Sequence, residues 1–132
     1  METFDFGDGP VPAHQHPNGG GWVANTASVA ETAYVGPDAR VYGEASVTGK
    51  ARISDRAQVY DWAQVSGAAQ VSGEASVSGA AQIYDGAHVS GDAQVYSKAR
   101  ISGRAQVYDS AQVSGWAKVS GDTQISGDTQ IT

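Results

Sequence analysis

From Val23 to Ile131 a valine or isoleucine stands at every sixth position, nineteen times without exception. Two residues before each lies a second regular series. It opens with Gly21, continues as alanine at every position from Ala27 to Ala117, and ends with Thr123 and Thr129. A six-residue period does not return to one face of a helix. Val and Ile favour strands, and a two-residue offset puts Ala and Val on the same side of an extended segment. Glycine at a fixed offset in most hexads supplies a corner that accepts positive φ. Each hexad therefore reads as a short strand and a turn. Such a unit is too short to bury its own apolar face, so it must stack on copies of itself.

Three hexads make a closed coil of eighteen residues, a triangular prism with Val and Ile inside and Ala at the narrow corners. Six such coils fit between Val23 and Ile131. With parallel coils about 4.8 Å apart, the rod is about 30 Å long. Phrases such as "AQVSGAAQVSGEASVSG" resemble the hexapeptide-repeat family, and the resemblance runs from Val23 to Thr132. It implies an all-β fold, a left-handed parallel β-helix (triangular solenoid) of about six 18-residue coils. The left hand comes from the resemblance alone, because crossovers between parallel strands are ordinarily right-handed. The expected division is a capping segment over residues 1–21 and a β-helix over residues 22–132. The layout, a "PNGGGWVA" lead followed by hexads, is similar to hexapeptide-repeat proteins of bacteria and their phages.

Composition narrows the function. A net charge of −6 disfavours gripping nucleic acid or anionic lipid by bulk charge. The absence of cysteine removes disulfides, thiolate metal sites and a cysteine nucleophile. The first residues, "METFDFGDGP", lack the features of a signal peptide, and no apolar run reaches bilayer-spanning length. The expectation is a soluble, cytoplasmic protein, or one carried on a virion.

Residues eighteen apart lie above one another, which places the departures from the repeat. Tyr42, Tyr60 and Tyr96 each follow an inward Val on one edge, with Ser78 interrupting, and Trp62 and Trp116 share the neighbouring corner. Two readings stand side by side: rings that stack to shield the edge, or a protein interface. The family resemblance implies trimers packed along a prism edge. Gln58, Gln94, Gln112 and Gln130 form a column, as do Gln64 with Gln82, and Gln70 with Gln106 and Gln124. Stacked amides in such columns are expected to hydrogen-bond as a ladder. Lys98, Arg100, Arg104 and Lys118 are the densest basic group, a solvated face or a site for a phosphate or carboxylate.

A catalytic site has one candidate, His88, the sole histidine of the coils. The resemblance implies acyltransferases with a histidine near a coil edge and long loops that close over the donor, whereas the register here never slips. Asp85 and Asp92 are its nearest carboxylates in sequence, both at turns. The zinc-binding carbonic anhydrases of the same family need three histidines on the prism, which the coils lack. In the leading segment, His14 and His16 flank Gln15 and both rings point one way if the chain is extended. The pair resembles the His-x-His of trimeric phage spike tips, but a polar cap loop is the simpler reading.

An open prism end needs a cover, and Phe4, Phe6 and Trp22 are its expected plug. The other end, "GDTQISGDTQIT", stays in register to Thr132, so either another subunit covers it or the chain leads into something longer. The composite expectation is a non-catalytic rod that self-assembles as a homotrimer without a cofactor. Its rivals are a nucleotide-like anionic ligand held in clefts between subunits, and an acyltransferase-like enzyme using His88.

Overall fold

The computed structural model describes residues 2–132, and all its regular elements are β-strands. The first three are β1 (Thr3–Asp5), β2 (Pro10–Gln15) and β3 (Trp22–Ala24). Eighteen two-residue strands follow at six-residue intervals, from β4 (Ser28–Val29), β5 (Tyr34–Val35) and β6 (Arg40–Val41) to β21 (Gln130–Ile131). Every strand from β3 onward pairs in parallel with the strand eighteen residues later, until the last coil. Three sheets result. One runs from β3 through β6 to β21, and the other two contain six strands each. The chain is an all-β parallel solenoid of about six coils, as its period requires. Among the described residues no helix is long and apolar enough to cross a membrane.

The core is the two inward series. From Val35 to Val113, every inward valine and isoleucine is fully buried, as is nearly every paired alanine. Each corner closes when the alanine N–H donates to the carbonyl three residues back, as from Ala57 to Ser54 at 3.2 Å. A larger side chain at the alanine would have to enter the vertex of the triangle, which explains the monotony of that series.

From Gly43 to Gly127 the corner residue two places before each inward alanine or threonine has φ of 54–65°. Glycine usually occupies it. A Cβ there faces the next coil: on Gly91 it would lie 2.9 Å from the Asp109 backbone nitrogen. Asp55, Asp61, Asp85 and Asp109 nevertheless occupy this site with φ of 54–58°. Each carboxylate accepts the N–H of the glycine one coil on, at 3.0–3.1 Å. The hydrogen bond offsets the left-handed backbone.

The leading segment differs from the expected plug. β1 and β2 form an antiparallel hairpin, and β2 pairs antiparallel with β3, so the hairpin extends one sheet. Asp5 Oδ1 accepts from the N–H groups of Gly7 and Gly9, at 2.7 and 3.1 Å, and closes the hairpin turn. Strand alternation turns Val23 inward and Trp22 outward. Phe4 and Phe6 consequently pack on the outer face of that sheet. Ala13 and His16, at 3% and 4% exposure, cover the end of the core instead. His16 Nε2–H donates to Ala33 O at 2.8 Å, and Val35 N–H donates to Asn18 O at 3.0 Å. The edges of β3 and β5 are thereby covered, while β4 ends its sheet and Val29 is only partly buried.

In the final coil Thr123 and Thr129 replace alanine, and both are exposed. Thr123 Oγ1 donates to Ser120 O at 2.7 Å. Ile125 and Ile131 are partly buried.

Candidate functional site: an aromatic face and corner

The sheet built on β3 carries a continuous stack of rings. Trp22 lies on Phe4 with centroids 4.9 Å apart, Phe4 meets Phe6 at 4.8 Å, Phe6 stacks on Tyr42 at 4.8 Å, and Tyr42 on Tyr60 at 4.9 Å. The coil spacing dictates the last distance: residues eighteen apart sit one parallel strand step apart, about 4.8 Å. The two tyrosine planes differ by only 3°. Arg40 lies over Phe4, 5.0 Å from its centroid. The Tyr42 hydroxyl donates to Gln58 Oε1 at 3.3 Å. Burial, reinforced by Tyr60 and Asp61, pushes the Tyr42 phenol up to about 12. The shielding reading therefore holds for this end of the column, with the hairpin rings adding to it.

The stack ends at Tyr60; the next places in the column hold Ser78 and then a single further ring, Tyr96. A depression of about 260 Å³ fills the interruption, lined by Tyr60, Ser76, Ser78, Gln94 and Tyr96. On the adjoining corner the column reads Glu44, Trp62, Ala80, Lys98 and Trp116. Trp62 is 63% exposed and Trp116 is 75% exposed. Lys98 Nζ lies over the Trp116 ring, 4.3 Å from its centroid.

The basic residues are only partly brought together. Lys118 pairs in register with Arg100 on one sheet. Lys98 and Arg104 sit at the two corners bounding that sheet, and all four side chains are exposed. The single ion pair among the described residues is elsewhere, between Arg56 and Glu74 at 3.4 Å, both exposed.

His88 is exposed on its strand, between Gln70 and Gln106 in register. It borders a shallow depression with Ser90, Gln106, Tyr108 and Asp109. Among the described residues no hydrogen bond joins it to a carboxylate. Asp85, close in sequence, is committed to the Gly103 N–H.

His14 and His16 meet different surroundings, because the chain turns after β2. His16 N–H donates to Gly21 O, and its ring is buried. His14 stays exposed, and its Nδ1–H donates to Asn25 Oδ1 at 2.7 Å. Among the described residues, no group of three or more His, Cys, Asp or Glu side chains is placed to hold a metal ion.

The glutamine columns have the expected registers, for example Gln94 with Gln112 and Gln112 with Gln130. No amide–amide hydrogen bond joins them among the described residues. They lie on the outer surface, where water competes for each amide, unlike the dry interior of a cross-β ladder.

A family model described as a YdcK beta-solenoid repeat matches residues 99–115, about one coil of the rod. No curated protein and no solved structure matches the chain. Over that coil the chain is similar to the YdcK beta-solenoid repeat, and the same parallel β-solenoid architecture continues through the coils on either side.

Proposed function

We propose that this chain is a non-catalytic scaffold, a rigid β-solenoid rod that self-assembles, as a trimer, through its aromatic corner. The exposure of Trp62 and Trp116 carries this reading. Each offers a large ring to solvent on one corner, and exposed aromatic area of this kind favours association. Tyr60 and Tyr96 flank the same corner and extend the apolar surface. The unbroken six-residue register supports a scaffold rather than an enclosure, since no inserted loop rises from the coils to close over a substrate.

The chain reports on its own assembly, because it has three tryptophans and two of them are on the corner. Tryptophan emission should shift to the blue as the chain is concentrated, and iodide quenching should fall with it. Emission that stays red and fully quenchable at every concentration contradicts assembly through this corner.

A further inference from the structure

The interruption at Ser78 has the geometry of a missing ring. Tyr42 and Tyr60 stack 4.9 Å apart and nearly parallel. The next place in the column holds Ser78, and the one after it Tyr96. Tyr60 and Tyr96 are thus two coil steps apart, about 9.6 Å. A planar ring placed midway lies about 4.8 Å from each, the same separation that the Tyr42–Tyr60 pair already adopts. The opening of about 260 Å³ between them is floored by Ser76 and Ser78, with Gln94 beside Tyr96. Two hydroxyls and an amide present both donors and acceptors to the edge of whatever enters. None of the three has a hydrogen-bond partner among the described residues.

We infer that this slot binds a small planar heteroaromatic ring with hydrogen-bonding edges, of the nucleobase class. Tyr60 and Tyr96 hold its two faces, and Ser76, Ser78 and Gln94 read its edge. The chain's charge of −6 opposes a polyanionic nucleic acid and favours a free base or nucleoside. The slot lies over the sheet beside the tryptophan corner; it uses neither tryptophan and shares Tyr60 and Tyr96 with the surface that flanks the corner.

Adenosine is a suitable probe, followed by NMR of the tyrosine ring protons, with ribose and an oligothymidylate as comparisons. Ring-current shifts to high field are expected at Tyr60 and Tyr96, and not at Tyr84 or Tyr108. Ser78→Tyr should fill the slot from within, keep or raise the melting temperature, and weaken adenosine binding by about tenfold or more, the scale of one base–aromatic stack. Tyr96→Ala, which opens one wall without filling the slot, should weaken binding similarly. Trp62→Ala with Trp116→Ala should bind adenosine as the wild type does, whatever its assembly state. The inference is overturned if adenosine leaves Tyr60 and Tyr96 unshifted, or if folded Ser78→Tyr binds it undiminished. Equal shifts with ribose, or tighter binding of the oligothymidylate, also overturn it.

Discussion

At the scale of single residues, the corner aspartates show how the repeat tolerates side chains in a left-handed conformation. Asp85 has φ of 58° and gives its carboxylate to the Gly103 N–H one coil away. Every such aspartate is followed eighteen residues later by glycine, so no two carboxylates stack at one strand spacing. Asp85→Ala keeps the unfavourable φ and loses the bond, and should cost about 1–2 kcal/mol. Asp85→Gly loses the bond and relieves the backbone, and should stay within about 0.5 kcal/mol of wild type. Thermal melts of the two variants separate these outcomes; equal losses would mean that the left-handed backbone of this corner carries no cost. Tyr42 offers a second residue-level test. Its phenol is raised from 10.0 to about 12, chiefly by burial. The fold therefore favours the protonated form. Stability from this group is complete below pH 10 and is lost as pH rises through about 12. Ultraviolet titration should show one of the six tyrosines ionising late, and Tyr42→Phe should retain more stability than wild type above pH 10.

At the scale of elements, the strand register was legible because it rests on two strict series with one period. Val65 is fully buried while Gln64, its neighbour on the same strand, is exposed. Val65→Asp buries an unpaired charge and should cost about 4 kcal/mol or more, whereas Gln64→Asp should stay within about 0.5 kcal/mol. Urea melts that coincide for the two variants would contradict the register. The leading hairpin was less legible. Its turn had a signal in Asp5, Gly7 and Gly9, but pairing of β2 with β3 depends on a long-range contact that no local period encodes. The outward place of Trp22 did follow from strand alternation, since Val23 faces the core. Assigning Trp22 to the plug ignored that alternation and left His16 unrecognised as the buried cover. The columns of Tyr42, Tyr60 and Tyr96 could be read by stepping eighteen residues. That Phe6 completes the stack could not, because Phe6 lies outside the repeat.

For the whole molecule, stacking six coils produces a rod whose three faces are unequal. Two faces are mostly serine, glutamine and scattered charge on the outside. The third carries the ring stack, the slot and the tryptophan corner. The inward series explains the fold without these rings, and under the proposed assembly their concentration on one side is the surface the rod presents to its partners. If the corner holds the assembly together, removing its rings should dissociate the assembly while leaving the coils intact, since Trp62 and Trp116 contribute little to the core. Aromatic anchors at the centre of an interface typically contribute about 2 kcal/mol or more each. Sedimentation equilibrium of the wild type beside Trp62→Ala/Trp116→Ala and Tyr84→Ser/Tyr108→Ser tests this most directly. The account predicts a trimer for the wild type and for the tyrosine double variant, and a monomer with an unchanged β circular-dichroism spectrum for the tryptophan double variant. A wild-type monomer, or a tryptophan double variant that sediments with the wild-type mass of an assembly, would contradict it.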